Sequence, residues 1–252
     1  MLYRVRKSPL STLGLGIIIL FILLGLAAPL ICHPNSPDPF IIPQTYSRSP
    51  LPPSWEHPFG TTGPTTYSDV FYGVIWGTRY SLALALSITL ICFSFGVLYG
   101  SISGYYGGKI DEILMRIVDV FYSMPSLLVM MVFLIAIGKP GFWTMVSAYC
   151  LTAWPSYARI VRGEILRVKN EVYIEAARSI GLSDITIITR HILPNVMYAV
   201  IMACMRMGTI VLSTSGLGFL GVGFSPGTAE WGIIISEGRD WLLAGAWWIT
   251  IF

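Results

Sequence analysis

The chain has 252 residues, of which 54% are hydrophobic and only 12% carry charge, with a net charge of +3. A soluble globular domain carries about 25% charged residues, so half that amount excludes water as the main solvent. The class is a polytopic membrane protein, and a charge of +3 leaves no nucleic-acid footprint.

The first element is the uncharged run from Ser8 to Cys32, preceded by Arg4, Arg6 and Lys7. A signal-peptide apolar region spans about 7–15 residues, so this longer run reads as a retained first membrane helix. A tract rich in Pro, Ser and Thr follows, through Asp69, and is an extramembrane loop. Further spans are expected within 80–108, around 113–137 with Pro125 inside it, around 141–158, and from Leu193 to about Ser215. Each covers the ~20 residues needed to cross the hydrocarbon, and helices are the default where lipid satisfies no backbone group. The tract "SGLGFLGVGFSPGTAEWG" is expected to be non-helical, and a sixth helix starts near Asp240 and is cut off at Phe252.

Lys and Arg cluster in three segments: the N-terminus, the turn around 105–116, and the stretch 159–190. This is the positive-inside pattern with the N-terminus in the cytoplasm. It places the polar stretch "EVYIEAARSIGLSDITIITRHILPN" in the cytoplasm too. Val172, Tyr173, Ala176 and Ile180 recur at helical spacing and define one apolar face. Gly181 is placed to end that helix, and Ser183 or Asp184 to cap a second one running through Arg190. Pro194 is placed to start the next membrane helix. The paired alanines let another surface approach the backbone. The physics leaves two readings open, a docking site or an amphipathic loop resting on lipid headgroups.

"EAARSIGLSDITIITRHILP" resembles the EAA loop of ABC importer permeases. The matching elements are Glu175, Ala176, Ala177, Gly181, His191, Leu193 and Pro194, with His191 where the general pattern has isoleucine. "HILPN" is similar to the dipeptide/oligopeptide/nickel branch. "GTRYSL", "GYYGGKIDEILMRIVDVFYSMPSL", "WPSYARIVRGEIL", "FLGVG" and "WGIIISEGRDWL" also resemble it, in the order of the C-type subunit. The resemblance implies an all-α type I ABC importer fold with five full transmembrane helices and a truncated sixth. Residues 1–74 would form the N-terminal helix and extracytoplasmic loop. Residues 75–252 would form the permease domain, with the EAA coupling loop at 164–194.

The implied function is the transmembrane permease of a binding-protein-dependent importer of di- or oligopeptides in the inner membrane, working by alternating access. A nickel-chelate or oligosaccharide importer is the alternative. The chain itself would catalyse nothing and hold no cofactor, and ATP and Mg would bind partner ATPases. Implied partners are a second permease subunit, two ATP-binding subunits, an extracytoplasmic solute-binding protein and membrane lipid. Glu175, Ala176, Ala177, Arg178, Gly181 and Leu182 would form the docking surface. His191, Leu193 and Pro194 would set the return into the membrane. Two further rivals are an intramembrane enzyme, for which Ser213 and Ser215 lack a nearby histidine, and a structural scaffold.

Two positions depart from the family. "GTTGPTTYSD" stands where "GTDxxGRD" is usual, and Thr214 stands near a usual carboxylate. Arg206 lies 12 residues after Pro194, roughly 18 Å along the fifth helix and near the bilayer middle. Such an arginine either lines the pathway and attracts a substrate carboxylate, or pairs with a partner subunit. "GLGFLG" fits the dinucleotide fingerprint, but it follows a membrane helix rather than a strand. "GYYGGKI" lacks the Ser or Thr of a phosphate loop. The four cysteines show no metal spacing.

Overall fold

A computed structural model describes residues 9–44, 49–62, 69–205 and 207–251, and the fold is helical. The helices are α1 (Pro9–Ile31), α2 (Val70–Tyr106), α3 (Gly108–Ser123), α4 (Ser126–Ile137), α5 (Phe142–Val168), α6 (Val172–Ser179), α7 (Asp184–Thr186), α8 (Leu193–Cys204), α9 (Met207–Phe219), α10 (Trp231–Leu242) and α11 (Trp248–Ile251). A π-helical turn, Ile187–Ile192, joins α7 to α8. By contact the chain divides into two compact units, Met1–Leu84 with Val211–Phe252, and Ala85–Ile210.

Among the described residues, α1 and α2 are each long and apolar enough to cross a membrane. The expected third span is not one straight helix. Helices α3 and α4 pass the same test only together, bent by 83° at their junction. Pro125 causes the bend, since it lacks an N–H and forces the preceding residue out of helical space. Met124 is accordingly extended, at φ −97° and ψ 135°. The fourth helix also runs past its expected end at residue 158, to Val168, so its last turns carry Arg159, Arg162, Glu164 and Arg167. The expected fifth span begins at Leu193, but α9 continues to Phe219, into the tract expected to be non-helical.

In the first unit, Asp69 starts α2. Its Oδ1 accepts the Tyr72 N–H at 2.9 Å, and its Oδ2 pairs with His57 Nδ1 at 2.6 Å. The Pro-rich loop is tied down as well. Ile42 N–H donates to Gly227 O at 2.9 Å and Ala229 N–H to Phe40 O at 2.7 Å. Buried Glu230 caps α10, accepting the Ile233 N–H at 3.2 Å and the Ser215 hydroxyl. Thr214 is buried and donates to Val211 O at 2.9 Å.

In the second unit, α2 and α5 approach to backbone contact along Gly96, Gly100 and Gly104. A Cβ added at Gly100 would lie 2.5 Å from Ala158 O and 2.8 Å from Val161 Cβ. One added at Gly104 would lie 3.0 Å from Ile165 Cβ. Small residues four apart allow this closeness, which maximises van der Waals contact where lipid supplies no hydrophobic drive. Trp154 on α5 fills the junction with Phe95 and Tyr99 of α2 and Phe121 of α3, at centroid distances of 5.0, 4.8 and 5.4 Å. Nearby, the Arg162 guanidinium donates twice to Asp111, through Nε and Nη2, both at 2.5 Å. Ser103 donates to the same carboxylate.

Candidate functional site

The polar stretch after α5 folds as a helix, a glycine turn and a second helix. The Glu171 backbone, at φ −73° and ψ 143°, opens α6, and its carbonyl accepts the Ile174 N–H at 2.9 Å. Glu175 in the first turn and Arg178 in the last both complement the helix dipole. The end of α6 closes with two crossed bonds. Leu182 N–H donates to Ala177 O at 3.2 Å, and Gly181 N–H to Arg178 O at 2.9 Å. This is the Schellman pattern, which needs a left-handed residue, and Gly181 supplies it at φ +81°. Of the two candidate caps for the next helix, Ser183 takes the role. Its Oγ accepts the Thr186 N–H at 3.4 Å and contacts Thr186 Oγ1 at 2.8 Å. Asp184 turns elsewhere and accepts the Tyr105 hydroxyl at 2.5 Å.

The second helix does not stop at Arg190. It passes through the π turn into α8, and Leu193 N–H donates to Ile188 O, five residues back. Pro194 explains the widening. It has no N–H to give the Arg190 carbonyl, and its ring would crowd that carbonyl in a regular α-turn. Leu193 and His191 are half-buried on this return, and Pro194 is exposed.

The inward face of α6 is not the stripe of Val172, Tyr173, Ala176 and Ile180 but one turned by roughly 100° from it. Ile174 and Ala177 are buried, packed with Tyr105, Val161, Ile165, Ile187 and Ile192, and Leu182 joins their edge. Val172 and Ile180 are 78% and 77% exposed. The helix carries apolar residues on two faces, and periodicity over eight residues does not say which face meets the core. Ala177 therefore belongs to the anchoring face rather than to an outer surface. Glu175, Ala176 and Arg178 remain outside, flanked by Val172, Ile180 and, from α7, exposed Ile185. The outcome is an exposed stretch that carries charge, a bare alanine and aliphatic side chains. A fixed hydrophobic anchor lies beneath it.

Glu175, Ala176, Arg178 and Gly181 are thus exposed on the loop, Ala177 is buried beneath it, and His191, Leu193 and Pro194 lie on the return to α8. Tyr105 is the residue that sequence reasoning missed. It lies far from the loop in sequence, inside a motif that gave no hint of pairing with Asp184. Arg206 lies outside the described residues. Among those described, no group of three or more His, Cys, Asp or Glu converges as a metal site would require. The glycines of "GYYGGKI" break the helix instead, Gly107 and Gly108 taking φ of +67° and +53° between α2 and α3.

The family described as "Binding-protein-dependent transport system inner membrane component" matches residues 96–252. The chain is 36% identical over 250 residues to the dipeptide transport system permease protein DppC of Bacillus subtilis (strain 168), covering 99% of this chain and 76% of that protein. It is 32% identical over 245 residues to the oligopeptide transport system permease protein OppC of the same organism, covering 97% and 78%. A chain from a structure titled "Inward facing conformations of the MetNI methionine ABC transporter" superposes with a TM-score of 0.58 at 18% identity, covering 71% of this chain and 90% of that one. At that identity the likeness concerns the fold alone.

Proposed function

The chain belongs to the binding-protein-dependent transport system inner membrane component family, and from that premise we propose that it is the permease of an ATP-driven importer of di- or oligopeptides. The names of its relatives, dipeptide and oligopeptide permeases, favour peptides over a nickel chelate or an oligosaccharide. The protein crosses the inner membrane more than once and works with ATPase and binding-protein partners. The assembly we propose pairs it with a second permease subunit and two ATP-binding subunits. The bias of Lys and Arg supports an N-terminus and a 164–194 loop in the cytoplasm. ATP and Mg would be held by the ATPases, and this chain would move peptide by alternating access without covalent chemistry.

One observation carries the reading. The loop presents Glu175, Ala176 and Arg178 outward between exposed aliphatic side chains, on a turn fixed by Gly181 and anchored by Ile174 and Ala177. A loop resting on lipid would need no bare alanine on its exposed side. A groove on an ATPase that receives a helix does, because the two backbones then approach closely. Leu182 braces the turn from below. His191, Leu193 and Pro194 direct the chain back toward α8.

Co-purification tests this. Gly181→Asp forces a branched carboxylate into left-handed space, and Glu175→Ala removes an exposed anion of the loop. Both are expected to lose the ATPase and binding-protein-dependent peptide uptake in proteoliposomes. If the ATPase is retained in full by both variants, the docking reading is wrong. Arg206 belongs to the same proposal, as a cation along the peptide pathway, given its place in the sequence 12 residues after Pro194 within an apolar run. Unchanged uptake and substrate range in assembled Arg206→Ala would remove it.

A further inference from the structure

We propose that Tyr105 is a positioning residue that transmits displacement of the docking loop to α2. This rests on the reading that the loop receives an ATPase. Tyr105 is 6% exposed and sits one residue before the end of α2. Its hydroxyl donates to Asp184 Oδ1 at 2.5 Å, at the start of α7. The Arg178 guanidinium carbon lies 5.3 Å from the centre of its ring, from the last turn of α6. Gly181 falls between those two partners, so one side chain holds both arms of the turn. One residue before Tyr105, Gly104 O accepts from Lys169 Nζ at 2.9 Å, where the chain enters the loop.

Tyr105 shares a buried cluster with the aliphatic Val161, Ile165, Ile174, Ala177 and Ile187, and Tyr106 meets its ring edge-on at 5.3 Å. Such contacts resist separation but have little direction, so they tolerate sliding. A hydroxyl-to-carboxylate bond is both stronger and directional. It converts a greasy seat into a fixed joint. The end of α2 must then follow the loop. From there the movement reaches α5, because Gly100 and Gly104 bring the two backbones into contact and leave no slack.

The test uses the assembled complex with its ATPases and binding protein in proteoliposomes, and reads ATP hydrolysis and peptide uptake together. Tyr105→Phe removes the hydroxyl, and with it the bonds to Asp184 and to the Arg178 side chain, but keeps the ring packing and the guanidinium over the ring. It is expected to keep the ATPase bound and hydrolysing, while peptide carried per ATP falls about fivefold or more. Asp184→Ala should do the same. Asp184→Asn keeps an acceptor oxygen and should recover at least half the wild-type ratio. The double variant Tyr105→Phe/Asp184→Ala should be no worse than the more severe single change, since the Tyr105–Asp184 bond is lost in both. An unchanged ratio in Tyr105→Phe, additive losses in the double variant, or release of the ATPase by Tyr105→Phe would each overturn the proposal. Full retention of the ATPase by both Gly181→Asp and Glu175→Ala would instead overturn the docking reading beneath it.

Discussion

Gly100→Ala is a demanding test of how α2 meets α5. The added methyl carbon would sit 2.5 Å from the Ala158 carbonyl oxygen, 2.8 Å from Val161 Cβ and 3.1 Å from Arg162 N. Ordinary contact begins near 3.4 Å, so the two helices must separate by several tenths of an ångström. Two of the three atoms are backbone and cannot rotate aside. Overpacking of this kind costs about 3 kcal/mol. Alanine returns about 1 kcal/mol of helix propensity, leaving a net loss of about 2 kcal/mol. For a chain of this length that corresponds to a fall in Tm of roughly 4–8 °C. Heating the detergent-solubilised protein and following the monodisperse fraction by size exclusion measures it. Gly163→Ala is the control, since its added Cβ meets nothing within 4 Å on the other side of α5. That variant should melt no lower than wild type. If Gly100→Ala melts at or above wild type, or if the two variants shift alike, the close backbone approach is refuted.

Three further outcomes follow from the same unit. Arg162→Ala strips Asp111 of both guanidinium bonds and leaves it with Ser103, at a cost of about 2 kcal/mol in the same thermal assay. Arg162→Lys should recover only part of that, because an ammonium cannot make the paired contact. Ile174→Ala empties a fully buried site and should lower stability by about 3 kcal/mol. Ile180→Asp, 77% exposed, should leave the Tm within about 2 °C of wild type yet weaken ATPase co-purification. Equal thermal shifts in Ile174→Ala and Ile180→Asp would mean that the assignment of inner and outer faces on α6 is wrong.

Much of the loop after α5 is legible in the sequence. Gly181, Ser183 and the dipole-matched Glu175 and Arg178 act through bonds to residues within a few positions. Local chemistry of that kind is written in consecutive letters. What failed was the choice of face. Val172, Tyr173, Ala176 and Ile180 make a credible apolar stripe, and so do Ile174 and Ala177. Only the presence of Val161, Ile165 and Ile187 on one side decides between them. The π turn before Pro194 was similarly hidden. A proline can begin a helix or be absorbed within one, and the neighbouring turns settle which.

The sequence by itself determined the solvent, the glycine turn and the family. Each of these depends on composition or on spacing within one segment. The tertiary structure alone decided which glycines are contacts. Gly14 and Gly100 look alike in the chain, yet a Cβ at the first meets nothing within 4 Å and at the second meets backbone. It also decided that α3 and α4 bend by 83°, and that Tyr105 reaches across 79 residues to Asp184. Those facts arise where two segments meet, and the geometry of a meeting is a property of neither segment alone.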